Sequence, residues 1–309
     1  MNQPLKADSD DFETDSSSGT SSVPPEIENA RNKWNQIEQQ QQELKMSIPT
    51  EMGVGGTEVD RARPITFFDA RAELVNNIKN NPSPIENIPT LTAETVCFCC
   101  IKNLPTDIMI ETWKIIYLLS RTPFEEDNLL HHRILNTLHM LITGCQTPPL
   151  RYGNHWQTIG FQSNNPITDL RGAGILGLLL PMQLFAKYKS MGQKVIETSR
   201  LPGQNFPLMT VLIVYTSAAI QAAQTKHILS GNSFESCWDK MTMFYIGAIE
   251  TLCKEWKNEY CDIEHDYLKF DSVKDNCIAN AEATCRIGNA IIKEEEKEEE
   301  IKQNANNDK

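Results

Sequence analysis

Residues 156–177 read WQTIGFQSNNPITDLRGAGILG, a polar loop that runs directly into a strongly apolar segment. Two aromatics (Trp156, Phe161), Pro166, four glycines and the run Thr168-Asp169-Leu170-Arg171 fall within these positions. From Gly172 the chain continues GAGILGLLLPMQLFAKY, apolar almost all round, which is the pattern of a helix enclosed by other helices. Pro181 inside that run predicts a kink or a fresh turn.

Helical periodicity persists outward on both sides. Upstream, Phe67, Ala70, Leu74, Val75 and Ile78 share one face of a helix that Pro82 and Pro84 stop. Thr92, flanked by Leu91 and Val96 in hydrophobic-staple positions, predicts a helix to about Asn103. Thr106 or Asp107 caps the next helix, which carries Trp113, Ile116 and Tyr117 and breaks near Pro123. Leu130, Ile134, Leu138 and Leu141 then mark a helix over 125–143, with Gly144 as its stop. Downstream, a short helix is expected over 194–201 and a longer one from Pro207 to Ser230. Asn232 and Glu235 suit a capping box before Phe234, Trp238, Tyr245, Ile249 and Trp256, and a last helix starts near Ser272. Strand-like alternation is nearly absent. The expected fold is all-α: one helical domain over 65–292, preceded by a disordered, linker-like 1–64 with room for a short helix at 26–46, and followed by an acidic disordered tail at 293–309.

The 309 residues carry a formal net charge of −12 at pH 7. Residues 1–60 hold 12 acidic and 4 basic side chains, and residues 294–309 hold 7 and 3, which leaves 22 of each sign between them. The acidity therefore belongs to the ends, and the neutral middle has no basic stripe of the kind that neutralises phosphates. Nucleic acid is not an expected partner. Leu208 to Ala223, the most apolar run, includes Thr210, Thr216, Ser217 and Gln221 and reads as too short and too polar for a membrane span. No secretory signal follows Met1, and nine cysteines then read as reduced thiols. The expected setting is intracellular and cytoplasmic, with room for peripheral recruitment to membranes or cytoskeleton.

Several motifs point to chemistry that their context withholds. Gly172, Gly174 and Gly177 spell G-x-G-x-x-G, but the dinucleotide fingerprint needs a buried strand before the first glycine, and Asn165-Pro166-Ile167-Thr168-Asp169-Leu170-Arg171 is not one. Cys97 and Cys100 form C-x-x-C without a second ligand pair, since Cys253/Cys261 and Cys277/Cys285 are each eight apart. His131, His132 and His139 share one helix with no acidic ligand patterned beside them, so no metal site is expected. A phosphate-binding Gly-Lys-Ser/Thr loop and a nucleophile elbow are both missing, so the chain does not read as a self-contained enzyme.

Arg171 remains. Its ordinary role would be an ion pair with Asp169 or Glu197 at a helix end. With Thr168 and Asp169 as N-cap residues, however, it would lie in a first turn, where a positive charge opposes the helix dipole unless something else uses it. Gly172 and Gly174 beside it would leave bare backbone, over which another surface could come close.

The spacing Trp156-x-x-x-Gly160-Phe161-Gln162-x-x-x-Pro166-x-Thr168-Asp169-Leu170-Arg171-Gly172-x-Gly174 resembles the motif of the ELMO domain family, in its ELMO domain-containing branch, without gap or missing position. Arg151-Tyr152-Gly153-x-His155 strengthens the likeness. The resemblance implies a helical ELMO domain and an activator of Arf or Arf-like small GTPases in their GTP-bound form. It also implies that Arg171 acts as an arginine finger in the partner's nucleotide site. The other motif residues would support the loop or the partner contact. No cofactor of the chain's own is implied, because GTP and Mg2+ would belong to the partner. The alternative is a non-catalytic scaffold, like the ELMO proteins that partner DOCK-type exchange factors and lack this arginine; an intact motif favours the activator.

Overall fold

The computed structural model describes residues 60–61, 63–81, 87–91, 94–97, 100–103, 105–226 and 228–307. The short helix expected at 26–46 and most of the linker lie outside these residues.

The described chain forms α1 (Phe67–Asn80), β1 (Glu94–Cys97), β2 (Cys100–Asn103), α2 (Asp107–Arg121), α3 (Leu129–Thr143) and the single turn α4 (His155–Thr158). A 3-10 helix (Pro166–Gly172) follows, then α5 (Leu176–Lys187), α6 (Lys189–Ser199), α7 (Leu208–Thr225), α8 (Phe234–Asn258), α9 (Leu268–Ala279) and α10 (Ala281–Asn307). The architecture is all-α, and the one sheet among the described residues is a two-stranded antiparallel pair, β1 with β2.

The helix starts follow from local chemistry. The Thr66 and Thr106 hydroxyls accept the amides of Asp69 and Met109, and the Asn128 side chain accepts those of Leu130 and His131. Gly144 closes α3 in the left-handed conformation. α8 begins one residue later than its sequence pattern predicts. Its capping box is Ser233 with Ser236, each side chain bonding the other's backbone amide, rather than Asn232 with Glu235.

α8 is the spine of the domain. Trp238, Met241, Phe244, Tyr245, Ile249, Leu252 and Trp256 are all buried along it. α10 packs along α8, α7 lies against α5, α8 and α9, and α5 is covered on another side by α3. The close seam of α8 with α10 depends on Gly247 and Gly288: a Cβ on either would come within 2.0 Å of the Thr284 carbonyl oxygen or 1.8 Å of the Met243 carbonyl oxygen, respectively. Phe206, Trp256 and Phe270 close one end of the core, with Trp256 stacked on Phe270 at 4.5 Å between ring centroids.

Further local expectations differ from the structure: α6 starts five residues before the expected 194, and α7 ends at Thr225 rather than Ser230. Residues 94–97 and 100–103 pair as antiparallel strands instead of forming a helix, with Cys97 opposite Cys100, so the two cysteines of the C-x-x-C lie on opposed strands. Val96, Cys97 and Ile101 suit strand as well as helix, and so short an apolar run does not distinguish the two. The last expected helix is two, α9 and α10, separated at Asn280. The glutamate-rich stretch from 293 continues α10 to Asn307, and Glu295 within it is buried. Finally, α7 does reach the length and mean hydropathy of a membrane span at 18 residues, contrary to the expectation for this run. Its apolar surface is used in the core, where Ala218, Ala219, Ala222 and Ala223 let neighbouring helices approach.

Candidate functional site

The loop from Leu150 to Gly174 is held by three sets of contacts. The first is aromatic. Trp156 is fully buried, its indole Nε1 donates to the Leu150 and Arg151 carbonyls, and its ring meets His139, His155 and Phe161 at 5.0–5.9 Å. Phe161 is buried beside it, so both motif aromatics serve packing.

The second set joins the loop to α7. Pro207, the N-cap of α7, has no side chain to satisfy the helix's first amides. The loop supplies the acceptors: Met209 N donates to the Ile159 carbonyl (3.2 Å) and Thr210 N to the Gly160 carbonyl (3.0 Å). The Thr210 hydroxyl also donates to Gly160 at 2.9 Å. Gly160 makes this possible through its φ of +91° and its lack of a Cβ, which would stand 2.2 Å from Leu208 N.

The third set is polar and lies around the 3-10 helix. Asn165 is its N-cap, with Oδ1 accepting Ile167 N at 3.2 Å, and Pro166 occupies the first position, where no amide is missed. Thr168 Oγ1 donates to the Asn165 carbonyl, and Asp169 Oδ2 accepts the Gln162 amide at 2.8 Å. Gln162 is exposed and its carbonyl accepts from Gln157. Thr168 and Asp169 therefore brace the loop internally rather than capping the following helix as the sequence reading had them.

Arg171 sits in the last turn of the 3-10 helix, not in the first turn of α5. A positive charge is favoured at that end, so Arg171 does not oppose a helix dipole as its expected first-turn position would have required. The side chain is exposed, and among the described residues it has no ion pair or hydrogen bond. Asp169 is engaged with Gln162 and Thr168, and Glu197 accepts from Gln193, so neither expected acid takes it. Gly172 beside it is also exposed. Gly174 is not: with φ of +53°, it packs onto the carbonyl end of α2, where a Cβ would lie 2.7–2.8 Å from the Leu119, Ser120 and Thr122 oxygens. Its absent side chain serves the fold, not the approach of a partner.

Sequence reasoning gave no role to Glu126 and Asn165, and gave Arg151 only a place in the motif. Arg151 forms a two-pronged ion pair with Glu126 (Nε to Oε2 3.0 Å, Nη2 to Oε1 2.6 Å), and the same Nη2 donates to Asn165 Oδ1 at 3.1 Å. Its guanidinium lies over the rings of Phe124 and Tyr152. The Arg151 hydrogen bonds hold the Glu126 carboxyl below its ordinary range. Ser163-x-Asn165-Pro166 is a legible turn pattern, but nothing in the Glu125-Glu126-Asp127 run marks which acid is used.

The α3 histidines are core residues. Burial pushes His131 and His139 down to about 4, and His131 Nδ1 accepts the Glu125 amide. One group of three metal-ligand types lies together among the described residues: Asp262, Glu264 and His265. There the Asp262 carboxylate is already engaged with the amides of the other two and the His265 ring.

The ELMO/CED-12 family model matches residues 115–274, which is just over half the chain and contains the whole of this loop. The chain is 30% identical over 148 residues to ELMO domain-containing protein 3 of Homo sapiens, a match covering 47% of this chain and 39% of the relative. It is 26% identical over 168 residues to ELMO domain-containing protein 2 of Bos taurus, covering 53% of each. It is also 28% identical over 173 residues to ankyrin repeat and ELMO domain-containing protein D of Dictyostelium discoideum, covering 52% of this chain and 13% of that one. The matched stretch thus spans only about two fifths to a half of the first two relatives. No solved structure matches the chain. With the family model running from within α2 to within α9 and taking in the whole braced loop, this chain belongs to the ELMO/CED-12 family.

Proposed function

We propose that this chain is a GTPase-activating protein for small GTPases of the Arf and Arf-like class, and that Arg171 enters the partner's nucleotide site in trans. One observation carries the reading: Arg171 is an exposed guanidinium, at the end of a braced turn, that no acid of the described residues takes up. Arginines that serve the fold here are held by a partner, Arg71 by Glu235, Arg151 by Glu126 and Arg133 by the Arg63 and Pro64 carbonyls.

The chemistry required of such a group is limited and specific. During hydrolysis, negative charge spreads over the oxygens of the transferring phosphoryl group, and a planar guanidinium offers paired N–H donors to them. Supplied in trans, this stabilisation is worth about 10³–10⁵ in rate. The GTP and its Mg2+ are held by the partner, so the chain needs no cofactor. A turn fixed by Asn165, Asp169 and the carbonyl end of α2 delivers the arginine with little of it left to order on binding.

Transition-state binding tests the proposal. GDP with aluminium fluoride imitates the charge and shape of the transferring group, so an arginine finger forms its best complex with that state. Calorimetry with Arf and Arf-like GTPases is expected to find a partner bound at least about tenfold more tightly as GDP–aluminium fluoride than as GDP alone, with Arg171→Ala removing the difference. Equal binding in both states, unaffected by Arg171→Ala, would make the chain a non-catalytic ELMO scaffold.

A further inference from the structure

Both ends of the 3-10 helix are tied to the same short connector, the turn between α2 and α3. At its C-terminal end, Ile175 N donates to the Thr122 carbonyl at 2.9 Å, and Gly174 sits on the carbonyls of Leu119, Ser120 and Thr122. At its N-terminal end the tie runs through side chains. Asn165 Oδ1 accepts both the Ile167 amide and Arg151 Nη2, and Arg151 grips the Glu126 carboxylate with two bonds. Glu126 is itself fixed: Tyr152 Oη donates to Oε1, and His132 Nε2 meets its carbonyl at 2.7 Å.

We propose that Arg151, Glu126 and Asn165 are positioning residues for Arg171, setting the register of the 3-10 helix against the α2–α3 turn. This rests on the proposed function only where activity is the readout. The physical reason is the shared oxygen. A single Asn165 Oδ1 receives the helix amide and the guanidinium, so the helix start cannot shift without lengthening a charge-assisted bond. Lysine at 151 would keep the charge and lose the fork, and with it the simultaneous hold on Glu126 and Asn165. An angstrom-scale drift of the turn is enough to misplace a reacting group and lower the rate of the step it serves.

The first arm of the test needs no partner. Hydrogen exchange is measured on the 309-residue wild type, Arg151→Lys, Glu126→Gln, Asn165→Leu and Asn165→Asp, each first matched for thermal unfolding. Amides 167–172 are expected to exchange about tenfold faster in the first three variants, with α8 unchanged, and to stay near wild type in Asn165→Asp, which keeps the accepting oxygen. Unchanged protection of 167–172 in Arg151→Lys and Glu126→Gln would overturn the proposal.

The second arm is single-turnover hydrolysis by a GTPase that the wild-type chain accelerates. The same three variants are expected to lose about tenfold in maximal rate, with the half-saturating concentration within twofold of wild type. A raised half-saturating concentration at full maximal rate would assign these residues to docking and overturn positioning. If wild type accelerates no GTPase, the proposed function fails instead, and the exchange arm alone decides the clamp.

Discussion

Arg171 and the glycines around it divide the loop into parts that serve the fold and parts left free. Gly160 and Gly174 hold positive φ angles and press against backbone, with an added Cβ coming to 2.2 Å and 2.7 Å of their neighbours. Gly172 has neither constraint, since among the described residues its Cβ would meet only the Ser217 hydroxyl, at 3.4 Å. Gly160→Ala and Gly174→Ala are therefore expected to cost about 3 kcal/mol or more each. Gly172→Ala should stay within about 0.5 kcal/mol. Urea unfolding of the three variants checks the contrast, and equal losses would contradict it. Sequence alone does not sort these glycines, because the spacing G-x-G-x-x-G says nothing of which carbonyls stand opposite. The same holds for Arg171. Its type and motif were legible, but its place at the end of a 3-10 turn depends on Asn165 and Pro166 starting that turn three residues earlier than Thr168 and Asp169 suggest.

Among the helices, those with a clear apolar face and a capping threonine, α1 and α2, sit where the sequence puts them. The paired strands β1 and β2 and the ends of α10 do not, for two different reasons. A short apolar run carries no period long enough to decide between strand and helix. A run of glutamates reads as solvated, yet one of them finds a helix end to cap. Tyr188 offers α6 no side-chain cap, and Glu295 supplies it from α10, accepting Ser190 N at 3.1 Å and Met191 N at 2.7 Å. Negative charge is also favourable at that N-terminus. Glu295→Ala is expected to destabilise the domain by about 1–2 kcal/mol. Removal of residues 294–309 should cost at least as much in thermal unfolding, whereas a loss below about 0.3 kcal/mol would return the stretch to the status of a solvated tail.

In the molecule as a whole, the buried histidines contribute a pH-dependent term to stability, and the proposed activity rests on one arginine. His131 and His139 titrate near 4 in the fold because burial disfavours their charged form. In the unfolded chain they titrate near their ordinary value of about 6.5. Above that value both states are neutral and stability is full. As pH falls from about 6.5 towards 4, only the unfolded state takes up protons, so stability declines, by up to about 3 kcal/mol for each group, and this contribution then levels off. Urea midpoints at pH 7.5 and pH 5 should differ accordingly. His139 Nδ1 is buried with no hydrogen-bond partner among the described residues, so His139→Phe should flatten the slope. An unchanged slope would mean that this ring is charged in the fold. The central claim is narrower and is tested by single-turnover GTP hydrolysis across Arf and Arf-like GTPases, comparing wild type with Arg171→Lys. Lysine keeps the charge and loses the planar fork. The account predicts that one GTPase is accelerated by wild type and that the folded lysine variant loses at least about 100-fold of that acceleration. A lysine variant as active as wild type, or a panel in which no GTPase responds, would contradict it.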